Sequence, residues 1–469
     1  MFEKLGKFIV KRSKVVLLTF IITTIIAGAV GSLSFGRLDS GGYSDLNSDS
    51  AKAAKYVVDV FGAEEPVVVM VVDSASSTID DPAVASTAIE IEKKIQNHTG
   101  VSKTYSYWST GGSPTMKSKD GKAGFILVYS DIDAFDWDAL SAVGASLQEE
   151  FDGKYKNVQV YASGAGVITY AINHKIEKDL ILAESIAIPL TFLLLVFVFG
   201  ALVASATPLF VGVTAILGSF FIIYILTLFT NVSVFALNLI TGLGLGLGID
   251  YALLMVNRFR EELHNGHSVE ESVVTTVATA GKTVFYSGLT VLVTMASLLF
   301  FPLEFLKSFG YAGVAVITFA VIGAVIALPA LLAVLGEKVD KGVVRKSAIT
   351  PKEDGRWAHT ARNVMQRPVP VVIACLVVLG IMAAPVTNIS FAQVDSRVLP
   401  ASNPAAIASQ IVDTRFDGLI GSPIEVVVPN GVGREGEVTS FLDKVKNVEG
   451  IVRVGAIETY KQDIRVQVI

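Results

Sequence analysis

An aspartate and a tyrosine stand side by side at the end of the most glycine-rich apolar segment of the sequence. In "NLITGLGLGLGIDYALLMVNRFREEL", four alternating glycines precede Asp250 and Tyr251. An aspartate near the centre of a membrane-spanning helix costs about 2.5 to 3.5 kcal/mol, so it needs a partner or a use. A carboxyl group in a water-poor site can take up and release a proton near neutral pH. We interpret Asp250 as a proton carrier, with a static polar contact to a neighbouring helix as the alternative.

Helical geometry places small residues around this carboxyl group. The residues that share the Asp250 face are Leu243, Gly246, Leu247, Leu254 and Asn257. Gly242 with Gly246, and Gly244 with Gly248, form two small-xxx-small pairs that let neighbouring helices approach closely in lipid. The alternating glycines are therefore compatible with a helix.

Further polar groups are candidates for the same site. The Tyr251 hydroxyl can donate a hydrogen bond to an ionised Asp250, or Tyr251 can be an ordinary packed aromatic residue. A later apolar run places Ser287, Thr290, Thr294 and Ser297 on one helical face. These hydroxyls line a water-accessible path in one interpretation, and bond back to their own helix carbonyls in the other.

The composition indicates which class of protein carries these residues. The chain has 469 residues, of which 52% are hydrophobic and 17% charged, and its mean hydropathy is +0.57. These values predict a polytopic α-helical membrane protein. A net charge of −5 without a long basic block argues against a nucleic-acid partner. The single cysteine, Cys375, excludes an intramolecular disulfide, and no metal-ligand spacing is present.

Seven apolar runs are long enough to cross a membrane. They lie at roughly 15–34, 180–200, 205–229, 233–257, 283–301, 308–335 and 369–390. The first run lacks a convincing cleavage site, so we interpret it as a retained anchor. Basic residues cluster at the N-terminus, at Arg258, Arg260 and Lys282, and at 337–368. By the positive-inside rule these segments are cytoplasmic, and residues 36–178 and those from about 391 onward are extracytoplasmic.

The first extracytoplasmic segment has the pattern of an α+β domain. Strands are predicted at 66–73, 101–108, 123–130 and 157–163, with helices at 81–97 and 134–152. This βαββαβ order is typical of a ferredoxin-like unit.

An internal repeat points to duplication. "LSFGRLDS" (33–40) resembles "ISFAQVDS" (389–396), and "VVDVFGAEEPVVVMV" resembles "IVDTRFDGLIGSPIEVVV", each pair offset by about 350 residues. We therefore expect 1–35 to hold the first span, 36–178 a first porter domain, 179–336 spans two to six, 337–368 a cytoplasmic loop, 369–390 span seven, and 391–469 the start of a second, truncated porter domain. The chain is then a fragment of a duplicated protein of twelve helices.

Three motifs resemble one known family. "DLILAESIAIPLTFLLLVFVFG", "GLGLGIDYALLMVNRFREEL" and "TAGKTVFYSGLTV" are similar to segments of the MMPL transporters of actinobacteria, within the resistance-nodulation-division superfamily. The resemblance implies a proton-driven exporter of lipids or other hydrophobic compounds, with porter domains. It implies that Asp250 and Tyr251 act in a proton relay beside Ser287, and that an equivalent pair on a helix beyond this chain faces them.

The resemblance also implies a set of partners. No cofactor is expected beyond the proton gradient, and the partners are a lipid or hydrophobic substrate, membrane lipids and the missing C-terminal half. The resemblance does not decide whether the protein forms a homo-oligomer, nor which substrate it takes among trehalose mycolates, other glycolipids, siderophore-like compounds and drugs.

Two other functions are alternatives to the exporter: a proton-driven Sec accessory subunit, and a lipid-sensing or scaffolding membrane protein. The sequence contains no nucleophile elbow and no phosphate loop, so its motifs do not predict an enzyme.

Overall fold

A computed structural model describes the chain except residues 40, 43, 44, 46, 63, 75, 134, 135, 346–355, 390–394, 417–423, 452 and 469. The helices of these described residues are α1 Phe2–Lys11, α2 Ser13–Gly31, α3 Asp49–Phe61, α4 Pro82–Gln96, α5 Trp137–Phe151, α6 Ala165–Phe199, α7 Leu202–Leu226, α8 Ala236–His264, α9 Val269–Thr276, α10 Lys282–Ala296, α11 Glu304–Ile322, α12 Leu328–Leu335, α13 Arg356–Gln366, α14 Pro368–Ala383, α15 Pro404–Arg415 and α16 Glu435–Val445. The strands are β1 Val68–Asp73, β2 Lys103–Ser106, β3 Ala123–Tyr129, β4 Gly153–Tyr155, β5 Val158–Ser163, β6 Ile424–Val428, β7 Glu458–Tyr460 and β8 Asp463–Val468.

Seven helical segments of the described residues are long and apolar enough to span a membrane. They are Ser13–Arg37, Ala165–Phe199, Leu202–Leu226, Ala236–His264, Val269–Phe300, Glu304–Asp340 and Pro368–Asn388. The predicted polytopic helical fold is therefore confirmed. Helix α6 begins at Ala165 rather than near residue 180, because its first turns carry charged residues that a search for apolar runs passes over. Its 35 residues extend about 52 Å, well beyond an apolar core of about 30 Å.

The chain divides into two compact units. One comprises Met1–Leu38, Ile181–Phe301 and Leu306–Val394, and the other comprises Asp39–Leu180, Pro302–Phe305 and Asp395–Ile469. The first is called the membrane unit below and the second the α+β unit. Helix α6 belongs partly to each.

The membrane unit packs through small residues. The most extensive helix pair is α7 with α8, followed by α2 with α7. A Cβ atom at Gly31 of α2 would lie 2.7 Å from the backbone nitrogen of Phe221 in α7, so only glycine allows this approach. Because lipid is as apolar as the side chains, such close van der Waals contact is what favours helix association.

The α+β unit contains the predicted ferredoxin-like sheet. Its strands are antiparallel in the order β2-β3-β1-β5-β4, and Met70 at the centre pairs with Ile126 on one side and Ala162 on the other. Helices α4 and α5 contribute Ile91, Ile95 and Leu147 to the core on one face. The βαββαβ prediction is confirmed, with β4 as an additional short edge strand and α3 as an additional helix.

Helix α15, from the second extramembranous segment, covers the other face of this sheet. Ile411, Val412 and Phe416 pack with Val71 and Phe125, and the Phe416 ring stacks on Phe125 with centroids 3.7 Å apart. Both faces of the sheet are therefore buried.

A polar anchor holds the end of α15 in place. The Arg415 guanidinium donates two parallel hydrogen bonds to Asp73, of 2.8 and 2.9 Å, and pairs with Asp120 at 2.9 Å. The Ser409 hydroxyl lies 3.0 Å from that of Ser163 in β5. Charge-assisted bidentate contacts of this type fix orientation as well as adding stability.

The remaining strands repeat the first half of the larger sheet. The order β6-β8-β7 reproduces β1-β3-β2, with antiparallel pairing at every step, and α16 packs on it through Val438 and Leu442. This parallel supports the predicted duplication. The matched stretches 33–40, 389–396 and 411–428 lie partly outside the described residues.

The Arg415 anchor predicts a local loss of stability on truncation. Arg415→Ala should destabilise the docking of α15 by about 2 kcal/mol, because two carboxylates lose charge-assisted hydrogen bonds. Faster hydrogen exchange of the α15 backbone amides measures this effect. Arg434→Ala, which removes the exposed ion pair with Glu437, is the control and should change exchange little. Unchanged α15 protection in Arg415→Ala would refute the anchor.

A second prediction concerns Asp152, just after α5. Its Oδ2 is buried without a hydrogen-bond partner among the described residues. Burial raises the pKa of Asp152, and a hydrogen bond from the Ala162 backbone opposes the shift only in part. Since the folded-state pKa of this acid is raised, the charged form destabilises the fold at pH 7, and the penalty fades as the pH falls through that pKa.

Asp152→Asn should therefore raise the thermal midpoint of the α+β unit at pH 7 by about 2 °C, the shift expected for roughly 1 kcal/mol in a unit of this size. The gain should disappear near pH 4. Asp131→Asn, at an exposed aspartate, serves as the control. An equal gain at both pH values would contradict the electrostatic origin.

Candidate functional site

The buried face of α8 sets the position of the site. A Cβ atom at Gly248 would lie 2.6 Å from the Cα of Gly212 in α7, and one at Gly244 would lie 2.7 Å from the Ile216 side chain. The Gly244 position also meets Val316 of α11 at 3.1 Å. Gly244 and Gly248 thus form the tightly packed face of α8.

The opposite face of α8 carries Asp250 and is uncovered. Its exposed residues follow one slanted stripe, four or three positions apart: Asn238, Gly242, Gly246, Asp250, Leu254 and Asn257. A Cβ atom at Gly242 or Gly246 would meet nothing within 4 Å. Within the described residues the Asp250 carboxylate makes no hydrogen bond or ion pair. The two glycine pairs therefore differ, since one packs on α7 and the other borders an open surface.

Tyr251 points into the membrane unit instead. Its side chain is 3% exposed, and a Cβ atom at Gly288 of α10 would lie 3.7 Å from its hydroxyl. Ser287 is the neighbouring polar residue. The hydroxyl of Tyr251 has no hydrogen-bond partner of normal geometry in the described part of the chain. A buried hydroxyl in this condition is one that a nearby carboxyl group or water can use.

The polar residues of α10 are exposed, and most of their hydroxyls already have acceptors. The Thr290 hydroxyl donates to the Tyr286 carbonyl at 2.9 Å, and that of Thr294 donates to the Thr290 carbonyl at 3.0 Å. Ser297 does the same with Thr294. These bonds leave the oxygen lone pairs free as acceptors. The structure thus brings Tyr251 close to the Ser287 position, while Thr290 and Thr294 lie further along the exposed side of α10.

The sequence analysis did not predict a buried ionic cluster at the C-terminal end of α8. The Arg260 side chain is 7% exposed; it pairs with Asp340 at 2.7 Å and donates to the Phe199 carbonyl oxygen at 3.1 Å. His264 also lies 3.3 Å from Asp340. The spacing of the sequence contained a signal for the burial of Arg260. Gly248, Ala252, Val256 and Arg260 follow one another at intervals of four, which places Arg260 on the buried face of α8. The cluster joins the ends of three membrane segments.

No group of three metal-ligating side chains occurs among the residues that the structure describes. Seven candidate membrane spans among the described residues, a ferredoxin-like five-stranded sheet and a second, three-stranded sheet define a multi-pass membrane protein with porter-like α+β domains. The profile of the MMPL family matches residues 43–371. The chain belongs to the MMPL family.

Three relatives illustrate the similarity. A membrane protein of Streptomyces coelicolor is 32% identical over 455 residues, covering 96% of this chain and 62% of the relative. The trehalose monomycolate exporter MmpL3 of Mycobacterium tuberculosis is 28% identical over 453 residues, with 89% and 48% covered. The mycolic acid-containing lipids exporter MmpL11 of Mycolicibacterium smegmatis is 29% identical over 290 residues, with 61% and 30% covered. The chain spans about half the length of MmpL3 and under two thirds of the Streptomyces protein.

The contrast between the two glycine pairs predicts a contrast between variants. Gly248→Ala should destabilise the membrane unit by about 1 to 3 kcal/mol, because the added methyl group meets the α7 backbone. Gly246→Ala in the same chain should be close to neutral, since its methyl group meets open space. Thermal unfolding of the two variants in detergent measures the difference. Equal losses of unfolding stability in both variants would contradict the packing of Gly248 against α7 and the open position of Gly246.

Proposed function

We propose that the chain forms the first part of an exporter that moves lipids or other hydrophobic compounds from the cytoplasmic membrane toward the cell envelope, driven by protons that Asp250 carries. The observation that supports this most is the uncovered Asp250 on the Gly242–Gly246 face of α8. A carboxylate at membrane depth is costly when lipid covers it. The same carboxylate is useful where a protein surface and water meet it.

The uncovered stripe indicates what should cover it. Its glycines offer a neighbouring helix a close approach, as Gly248 does for α7. The proposed partner is the second half of the same transporter, with a corresponding acid facing Asp250. Two carboxyl groups that share a site cannot both ionise easily, so one of them keeps a proton. In this proposal Tyr251 acts in the relay with Asp250, and Ser287, Thr290 and Thr294 line it.

The family and the names of two relatives support a lipid as the proposed substrate. MmpL3 and MmpL11 are named exporters of trehalose monomycolate and of mycolic acid-containing lipids. The α+β unit lies on the extracytoplasmic side in the proposed orientation, with the N-terminus in the cytoplasm, and receives substrate there. No cofactor other than the proton gradient is required.

The energy available matches a conformational coupling of this kind. One proton that crosses about 100 mV contributes roughly 2.3 kcal/mol, and each unit of pH difference adds about 1.4 kcal/mol. A differential of a few kcal/mol shifts a two-state equilibrium by tenfold to a thousandfold. Proton movement through one carboxyl pair is therefore sufficient to bias a porter domain between two states.

Replacement of Asp250 in the complete protein tests the proposal. Asp250→Asn should lower export of a radiolabelled envelope lipid by more than tenfold, because an amide cannot carry a proton. Asp250→Glu should retain part of the activity, and Asn257→Ala, on the same exposed stripe, should retain nearly all of it. Export is measured in cells with matched protein levels. Undiminished export in Asp250→Asn would defeat the proposal, and a defect in protein translocation with normal lipid export would favour a Sec-accessory role.

A further inference from the structure

Helices α2 and α7 border an apolar cleft in the membrane unit. At Gly31, and at Gly28 where a Cβ atom would lie 3.1 Å from Leu217, the two helices are in close contact. Toward the N-terminal end of α2 side chains of both helices line a cleft of about 380 Å³. Its walls include Ile21 and Ile25 from α2, and Ala206, Leu209, Phe210 and Val213 from α7.

The cleft is suited to an alkyl chain. Ile25 and Val213 at its rim are 63% and 45% exposed, so the cleft opens on the lipid-facing surface. Thr214, one of its two hydroxyl residues, donates its hydroxyl hydrogen to the Val211 carbonyl at 2.9 Å. A ligand here gains from apolar contact on both walls, and a straight hydrocarbon chain provides it.

The depth of the cleft fixes where the head group of such a lipid lies. Ile21 follows Arg12 by nine residues, which is about 13 Å along a helix. Half of the apolar core of a bilayer is about 15 Å thick. A chain that occupies the cleft therefore belongs to a lipid whose head group is level with Arg12, at the N-terminal end of α2.

Positive charge is available at that level. Lys11, Arg12 and Lys14 are exposed, and their side chains make no ion pair or hydrogen bond with any residue that the structure describes. Lys7 differs, because it pairs with Glu3. Three unpaired cations at the head-group level of a lipid whose chain fills the cleft complement a negative head group.

We propose that the α2–α7 cleft binds one acyl chain of an anionic phospholipid from the leaflet that faces the N-terminus, with its head group on Lys11, Arg12 and Lys14. This leaflet is the cytoplasmic one in the orientation given above. The proposal does not depend on export or on Asp250. It assigns a bound membrane lipid to the same face of α7 that meets Gly28 and Gly31, but about one to four turns nearer the N-terminal end of that helix.

Tryptophan fluorescence and brominated lipids test the site in the full chain. Ile25→Trp places the probe at the cleft rim, and Ile22→Trp, which does not line the cleft, is the matched control on the same helix. Each variant is placed in phosphatidylcholine vesicles in which about one lipid in ten is chain-brominated phosphatidylglycerol or phosphatidylcholine. This low fraction limits quenching by brominated lipids that meet the probe without occupying the cleft. Quenching of the parent protein, whose tryptophans are Trp108, Trp137 and Trp357, is subtracted.

Brominated phosphatidylglycerol should quench Ile25→Trp at least fivefold more efficiently than brominated phosphatidylcholine, since one basic residue near an anionic head group is worth about fivefold in affinity. The two lipids should quench Ile22→Trp to within twofold. A ratio of twofold or less at Ile25→Trp, or an equal preference at both probes, would overturn the site.

Two further variants separate the head-group contact from the cleft. Added to Ile25→Trp, the triple change K11Q, R12Q and K14Q should remove the preference, whereas K4Q with K7Q should keep it. Ala206→Phe fills the cleft without a change of charge and should also remove the preference, which covers the case in which charge changes disturb membrane insertion. Persistence of the preference in both the triple variant and Ala206→Phe would disprove the assignment.

Discussion

The backbone contact between α7 and α8 determines the arrangement of the membrane unit. Gly248 lies so close to Gly212 that no other side chain fits between the two helices. Because lipid supplies no hydrophobic force for helix association, close packing has to supply it. Asp250 follows Gly248 by two residues, or about 200° around the helix. The contact that buries Gly248 therefore turns the carboxyl group toward the opposite, open side.

Local patterns in the sequence were sufficient for much of the fold. Spans were predictable because an apolar run of about 20 residues has few alternatives in a folded chain. The βαββαβ order was predictable because strands and helices alternate with clear turn residues between them. The cover that α15 gives to the sheet was not predicted. The sequence pattern that indicates such a cover is the unbroken apolar strand "PVVVMVVD". This strand has no polar face, so the sheet needs a packed layer on each of its two faces.

Other features depend on contacts that spacing alone does not specify. The pairs Gly242–Gly246 and Gly244–Gly248 are identical in spacing, yet only the second packs against a neighbouring helix. Thr290 and Thr294 fit a polar pathway by periodicity, and their hydroxyls bond to the preceding turn. Arg260 was counted as a loop charge that sets topology. Its burial with Asp340 depends on the meeting of segments about 80 residues apart in sequence.

The burial of the first sheet by α15 has a consequence for the order of synthesis. The last strand of that sheet ends at Ser163, and α15 begins at Pro404, some 240 residues later. At a translation rate of about 5 to 20 residues per second, the sheet face around Val71 and Phe125 lacks α15 for roughly 12 to 48 s. During that interval the six membrane-spanning segments from Ala165–Phe199 to Pro368–Asn388, and the segment before α15, emerge from the ribosome. The first extramembranous sheet is thus complete in hydrogen bonds long before it is complete in its core, and a chaperone or the membrane surface has time to bind it.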